Sequence, residues 1–521
     1  MSHPVKTEFG KWQRLLWPVH RSELKKLIPM LLIFFFISFN YNVLRTMKDS
    51  LIVTAKSSGA EVIPFIKVWV MFPMAVVLTF AYTRLANRWP RETVFYIMMT
   101  FFLAFFLLFL FLYPFRDFLH PHATADLLQK VLPEGFRGAI AMYRYWTFTS
   151  FYVMAELWGA IMLFTLFWGF ANQITRVEEA KRFYGLFGIG ANLSGVFAGM
   201  ISMFLITYAK YSPLFFIPAS ERWLYLQIFL ILVSGVIVMG IFRWMHKSVL
   251  SDARFYDPAK AIEDRSVRGK LSLRDSFAYL GRSRYLLCIT IIVIAYNVVI
   301  NLVEVVWKHQ VRELYPNKED YTFYMNQVMF FIGIVATGTA LFGTGNFIRR
   351  YGWTFTAMLT PATLLITSVL FFYFFFCKEG VLQAVPMLVG FSTPALVVFL
   401  GSLQNCVSRA AKYTVFDSTK ELAFVPLSSE CKLKGKAAID GVCSRLGKSG
   451  GSVIHQGLLL FFSTIVASAP YVAAWLIGII VLWIIAVYVL GKQFNELTEK
   501  QGQSAATPAQ GPSLQEQKVS T

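Results

Sequence analysis

Ile28-Pro-Met-Leu-Leu-Ile-Phe-Phe-Phe-Ile-Ser-Phe-Asn-Tyr-Asn-Val-Leu-Arg-Thr-Met-Lys48, followed by Asp49-Ser-Leu-Ile52, holds no charged residue until Arg45. A hydrocarbon layer is crossed by about 20 apolar residues at roughly 1.5 Å each. The stretch therefore predicts a membrane-spanning helix. Basic residues from Lys11 to Lys26 precede it, with no small-residue cleavage site, so it reads as a first span and not as a signal peptide.

Eleven more runs of membrane length follow. With the first they cover 28–47, 62–82, 93–113, 147–170, 184–208, 224–243, 284–306, 323–346, 353–376, 381–403, 452–469 and 471–491. The tenth is interrupted by Pro386 and Pro394, and the last two meet in a tight hairpin near Ser468 to Pro470. Breaks of this kind survive where neighbouring helices or a cavity satisfy the freed carbonyls. Beyond Gly491 the chain is rich in Gln, Ser, Glu and Pro without apolar period, which predicts a disordered tail over 492–521.

Composition agrees. Of the 521 residues, 56% are hydrophobic and 15% charged, against about 25% charged in a soluble chain. A globule this apolar would have too little polar surface to face water. Lys and Arg number 49 against 29 Asp and Glu, a net charge of +20. Ordinary cytoplasmic loop charge accounts for such an excess, and attraction of an anionic solute is compatible with it. The basic residues do not cluster in a groove-reading or stacking module, so no nucleic-acid partner is expected. Cys288, Cys377, Cys406, Cys431 and Cys443 form no metal spacing, and His246, His309 and His455 are isolated, so neither metal nor cofactor is expected.

Loop charge sets the topology. The N-terminal arm carries Lys11, Arg14, Arg21, Lys25 and Lys26; the even-numbered loops carry Arg84, Arg88 and Arg91, then Arg176, Lys181 and Arg182, then Arg265, Arg268, Lys270 and Arg274, then Arg349 and Arg350, then Lys432, Lys434 and Lys436. Both termini are thus expected on the cytoplasmic side. Tyr41-Asn42-Val43 in span one is repeated as Tyr296-Asn297-Val298 in span seven, an offset of 255, and the basic turns Asn87-Arg88-Trp89-Pro90 and Arg349-Arg350-Tyr351-Gly352 follow at an offset of 262. The predicted fold is an all-α polytopic membrane protein of twelve transmembrane helices in two six-helix halves, a major-facilitator-like layout. Its parts are a cytoplasmic arm 1–26, a first half 27–243, a linker 244–283 and a second half 284–491 that includes a basic cytoplasmic loop 404–450.

Charges inside spans single out a site. Such a charge costs about 2.5–3.5 kcal/mol at a helix centre and by default faces the bundle interior or water. Tyr41, Arg45 and Lys48 share one face of span one, unless the helix ends there and Lys48 snorkels. Glu156 lies well inside span four, on a face with Thr149, Tyr152 and Gly159, and must either pair with a cation or bind a proton. Asn297, Asn301, Glu304 and Lys308 mark one stripe of span seven, and by the repeat offset Glu304 falls opposite Asp49. A structural salt bridge is the bland alternative for both glutamates. In the tenth loop Arg409, Lys412 and Lys420 alternate with aromatic and small residues, and Gly447-Lys448-Ser-Gly-Gly-Ser precedes span eleven. A glycine-rich turn there would offer backbone N–H groups and Lys448 to phosphate. The stretch is similar to the end of a Walker A loop, but Val442 stands where that motif needs glycine and no strand precedes it. Tyr145, Tyr152 and Tyr296 either line a cavity or simply pack. No convergent acid–base set is present, so an enzyme is not expected.

Asn42-Val-Leu-Arg-Thr-Met-Lys-Asp, Ala155-Glu-Leu-Trp-Gly, Phe167-Trp-Gly-Phe-Ala-Asn-Gln, Phe183-Tyr-Gly-Leu-Phe-Gly, Asn301-Leu-Val-Glu-Val-Val-Trp-Lys, Ser408-Arg-Ala-Ala-Lys-Tyr and Gly435-Lys-Ala-Ala-Ile-Asp together carry a resemblance over about 15–490. The chain resembles the ADP/ATP translocases, the nucleotide transporter family of intracellular bacterial parasites and plastids. The resemblance implies exchange of external ATP for internal ADP and phosphate across a bacterial inner membrane, by a carrier expected to work as a monomer. It also implies two transport-critical lysines and two glutamates. These fall on Lys48, Glu156 and Glu304, with the fourth at Lys448 or Lys436. Arg45, Tyr152, Asn297, Asn301 and Arg409 complete the candidate set. Proton-coupled net importers of nucleotide, and importers of NAD, remain the alternative, with Glu156 or Glu304 as the proton carrier.

Overall fold

The computed structural model describes residues 19–175, 177–212, 217–252, 283–342, 344–376, 390, 392–427, 435, 436, 438, 439 and 443–506. Among them there is no strand. Inside hydrocarbon a segment must satisfy its own backbone N–H and C=O groups, and the apolar runs do so as helices. The first six long helices are α1 Leu24–Val53, α2 Val62–Arg88, α3 Arg91–Leu112, α4 Trp146–Ile174, α5 Val177–Ala209 and α6 Arg222–Ser248. The remainder are α7 Arg284–Leu314, α8 Lys318–Phe342, α9 Thr344–Phe376, α10 Thr393–Ala411, α11 Ser444–Phe462 and α12 Ile465–Ala506. Ten helical segments among the described residues are long and apolar enough to cross a membrane. Large apolar side chains such as Phe80, Phe111, Phe204, Phe229 and Tyr488 stand exposed on their surfaces, as lipid-facing residues do.

α1 packs on α4, α5 and α6; α7 packs on α10, α11 and α12. The two sets meet where α5 crosses α8, α1 touches α8, and α2 touches α11. Glycine sets the closeness of the α5–α8 crossing. A Cβ on Gly199 would lie 2.7 Å from the Asn326 carbonyl oxygen, and one on Gly333 would lie 2.7 Å from Val196. The basic turns of the sequence fall at helix ends. α2 stops at Arg88 with extended Trp89 and Pro90 before α3, and α9 is kinked at Gly352, whose φ of 79° suits glycine.

Several sequence expectations are corrected here. Of the two readings of span one, the continuing helix holds: α1 runs past Lys48 to Val53. The expected loop 404–450 is helical over its first part: α10 runs on through a π-helical turn, Lys412–Phe416, into Asp417–Ala423. α10 begins at Thr393, well inside the expected span 381–403; Pro394 sits in its first turn, where a missing N–H costs little, and Ser392 caps that end. Pro386, Arg265, Arg268, Lys270, Arg274, Lys432 and Lys434 lie outside the described residues. The turn before α12 is made at Ser463, φ 62°, and not near Pro470, which lies within α12. α12 extends to Ala506, so residues 492–506 of the expected disordered tail are helical; 507–521 lie outside the described residues.

Two ends of the bundle can be distinguished. At the basic end, Lys26 pairs with Glu179 at 2.7 Å and Lys436 with Glu421 at 2.5 Å, each pair joining helices of one set. At the opposite end the two sets interlock. Ser50 Oγ and Thr322 Oγ1 are 2.5 Å apart, Lys318 Nζ lies over the Phe148 ring at 5.2 Å, and Gly135 would place a Cβ 2.8 Å from the Leu459 carbonyl oxygen.

Candidate functional site

Five cations and three carboxylates converge from α1, α2, α4, α7 and α10. Lys48 Nζ lies 3.0 Å from both Asp49 Oδ1 and Glu156 Oε1. The other Asp49 oxygen, Oδ2, meets Lys308 Nζ at 2.8 Å, and Lys308 in turn lies 3.0 Å from Glu304 Oε1. The result is an alternating series, Glu156–Lys48–Asp49–Lys308–Glu304, that starts on α4 and ends on α7. Around Glu304 stand three more cations: Arg409 at 3.6 Å, Arg45 at 3.7 Å and Lys67 at 3.8 Å. Five positive and three negative groups leave a formal excess of two positive charges.

Exposure divides this series. The side chains of Lys48, Asp49 and Lys308 are 1–3% exposed, whereas Glu156 is 21% and Glu304 12% exposed. Arg45, at 20%, and Lys67, at 16%, share that partial exposure. The centre of the series is thus dry and its ends reach accessible space. Both glutamates face cations carried by other helices.

Local helix geometry places these groups. The i, i+4 spacing of Glu304 and Lys308 brings them together on α7. Tyr152 lies one helical turn before Glu156, and its ring carries the Lys48 ammonium at 3.7 Å, a cation–π contact. Lys67 opens toward the cluster from a π-helical stretch of α2, Ile66–Met71, and donates to Asn301 Oδ1 at 2.5 Å. A second π-helical stretch, Gly159–Phe167, follows Glu156, and a third contains Lys412. Such turns shift side chains off the regular helical stripe and are frequent at functional sites.

The sequence-derived candidates separate into four groups. Lys48, Glu156, Glu304, Arg45, Arg409, Tyr152 and Asn301 all belong to the cluster. Asn297 lies one turn from it on α7 and returns its amide to the Val293 carbonyl at 2.8 Å. Lys436 stands apart, in an exposed pair with Glu421.

Lys448 occupies a setting unlike the one expected. Gly447 to Gly451 form no turn but lie inside α11. A Cβ on Gly447 would come within 2.9 Å of Asn297 Cβ, and one on Gly451 within 2.8 Å of Asn301 Cβ. These glycines allow α11 to press on α7 beside the cluster. Lys448 is exposed, within the electrostatic reach of Lys412, Glu156, Lys67 and Arg45.

Three members went unselected at the sequence level: Asp49, Lys67 and Lys308. Lys67 is the one charge in Val62-Ile-Pro-Phe-Ile-Lys-Val-Trp-Val-Met71, a run of span two, and that isolation was the available signal. Lys308 was visible on the span-seven stripe, and Asp49 as the repeat counterpart of Glu304. Their pairing with each other was not, because it depends on how α1 meets α7.

Fold and site together define a multi-pass α-helical membrane protein built around an ionised core. Comparison with known proteins narrows this. The family model described as TLC ATP/ADP transporter matches residues 2–494. The chain is 45% identical to "ADP,ATP carrier protein 1" of Chlamydia pneumoniae over 94% of this chain and 96% of that protein. It is 44% identical to the protein of the same name from Chlamydia trachomatis serovar D, over 98% and 96%, and 39% identical to that from Rickettsia conorii, over 96% and 99%. Among solved structures, a bacterial homologue of the iron transporter ferroportin in an inward-facing state shares the fold. Its TM-score is 0.51 at 15% identity, covering 90% of this chain and 98% of that one. The chain belongs to the TLC ATP/ADP transporter family.

Proposed function

We propose that this protein exchanges external ATP for internal ADP and phosphate by alternating access, using twelve transmembrane helices in two major-facilitator-like halves. The names of its relatives supply the substrate pair. The observation that carries the mechanism is Glu304, one carboxylate within 3.0–3.8 Å of four cations drawn from α1, α2, α7 and α10. One carboxylate cannot neutralise four cations. Its oxygens occupy the position that a phosphate group of the substrate takes, and the partly exposed Arg45 and Lys67 are then free to follow the anion. Arg is suited to bidentate phosphate contacts and Lys to point-charge contacts. Glu156 plays the equivalent part toward Lys48.

In the empty carrier the carboxylates hold the cations; in the loaded carrier the polyanion does. Ligand then biases the two orientations only by its different affinity for each. Lys412 and the exposed Lys448 extend positive charge from the cluster toward the basic end. That end is the cytoplasmic one by the loop-charge rule, in a bacterial inner membrane. A cysteine in place of Phe118, which is 91% exposed at the opposite end, should be labelled by an impermeant reagent added outside. Labelling from the cytoplasm alone would reverse the orientation.

Reconstituted vesicles test the exchange. Uptake of labelled ATP is expected only with ADP or ATP inside, and it should be indifferent to an imposed pH gradient. Uptake into empty vesicles driven by a proton gradient would replace exchange with proton-coupled import. Competition by GTP and NAD sets the selectivity, and release of labelled internal phosphate tests its part in the exchange.

A further inference from the structure

The middle of the charged series carries more than the binding of an anion. Asp49 is on α1, among the first six helices, and Lys308 is on α7, among the last six. Their 2.8 Å contact is dry on both sides, with side chains 1% and 2% exposed. Hydrogen bonds between the two sets flank it. One residue beyond Asp49, Ser50 Oγ meets Thr322 Oγ1 at 2.5 Å and donates to the Lys318 carbonyl at 3.2 Å. Three residues before it, Thr46 Oγ1 donates to Asn326 Oδ1 at 3.1 Å. Asp49 therefore sits inside the contact that closes the end opposite the basic end.

Opening that end draws α1 away from α7 and α8. It must separate Asp49 from Lys308, leaving Asp49 with Lys48 and Lys308 with Glu304. Breaking the dry Asp49–Lys308 contact this way is unfavourable, because each buried ion loses one of its two partners. A polyanion changes the balance. Lys48 is shared between Asp49 and Glu156, and Lys308 between Asp49 and Glu304. The two glutamates are the accessible ends of the series. An anion that enters beside them supplies new partners to Lys48 and Lys308, and so removes the cost of losing Asp49.

We propose that the Asp49–Lys308 pair is a latch between the two halves that only a bound polyanion releases, which makes exchange obligatory. The inference rests on the exchange reading above. Asp49 is a positioning residue in this role, since it acts through Lys48 and Lys308 and not on the nucleotide. An empty carrier cannot reorient while the latch holds, so net transport is blocked although each half-reaction with substrate is allowed.

Asp49→Asn and the paired variant Asp49→Asn/Lys308→Gln test this in vesicles prepared with and without internal ADP. The paired variant removes both charges, so it strands neither one if Asp49→Asn alone fails to fold. The expected result is uptake of labelled ATP into empty vesicles, with the loaded-to-empty uptake ratio falling by about tenfold or more from wild type. A wild-type ratio in a variant that still transports overturns the latch. A second measurement does not depend on nucleotide transport. Val53→Cys, at the buried end of α1, should gain labelling by an impermeant maleimide in the paired background when substrate is absent, read against the same chain without the added cysteine. Unchanged labelling overturns the latch as well. Wild-type vesicles in the same assay test the exchange reading by itself: if they fail to exchange while the paired variant still exposes residue 53, the exchange reading falls and the pair stands only as a closure of that end.

Discussion

Replacing Lys67 with Gln separates charge from shape at the cluster. Lys67 Nζ donates to Asn301 Oδ1 at 2.5 Å and lies 3.8 Å from Glu304 Oε2. The substitution should leave the fold intact, because Glu304 keeps Lys308 at 3.0 Å, Arg409 at 3.6 Å and Arg45 at 3.7 Å. On the proposed function, what is lost is one charge-assisted hydrogen bond to the substrate phosphate, worth about 1.5–3 kcal/mol. At 1.4 kcal/mol per decade this corresponds to a rise of roughly 10- to 150-fold in the KM for ATP. Lys67→Arg should recover most of the loss, since it restores the charge. The measurement is counter-exchange kinetics in ADP-loaded vesicles, with binding to the solubilised carrier alongside. A Lys67→Gln carrier whose KM and affinity stay within about twofold of wild type would remove Lys67 from the phosphate site and refute the reasoning from Glu304.

Other expectations follow from the same geometry. Gly451→Val forces a side chain against Asn301 and should cost about 1–3 kcal/mol, read as a lower Tm, whereas Gly457→Ala, with nothing within 4 Å, should leave Tm unchanged or raised. Lys436→Gln removes only an exposed pair worth about 0–1 kcal/mol and should leave exchange kinetics within about twofold, while Lys448→Gln should raise the KM; the reverse pattern would identify Lys436 as the second-half lysine. His120, outside the spans, hydrogen-bonds Thr147 Oγ1 at 2.7 Å, and burial beside His122 pushes its imidazole down to about 4 from an ordinary value of 6.5. The unfolded chain then binds the proton more readily than the folded one, so this contribution to stability is complete above pH 6.5 and is lost as pH falls toward 4. His120→Gln should flatten the fall of Tm across that window, and coincident wild-type and variant profiles would exclude His120 as its cause.

Much of the site is legible in the sequence. A charge within an apolar run has few places to go, so Lys48, Glu156 and Glu304 announced themselves as interior groups. Arg45 and Asn301 followed from helical spacing. Lys448 shows the limit of such reading. Gly447-Lys448-Ser449 has the composition of a phosphate-binding turn, yet its glycines serve the approach of α11 to α7. Glycine permits either a turn or a close helix contact, and only the neighbouring helix decides between them. The expected loop over 404–450 failed for a related reason. Polar residues from Asn405 to Lys420 look like solvent-exposed chain, but they continue α10 in helical form, with Asn405, Ser408, Thr414 and Thr419 buried inside the bundle.

Hydrophobic run length and loop charge, which need no partner to be meaningful, settled that this chain is a helical membrane protein and marked which interior charges require explanation. Tertiary structure alone decided which charge meets which. Lys308 faces both Asp49 and Glu304, and Lys67 arrives from a different helix through a π-helical turn, because ion pairing depends on distances of a few ångströms between segments far apart in the chain. Sequence order carries no direct record of those distances; the packing of one helix on another creates them.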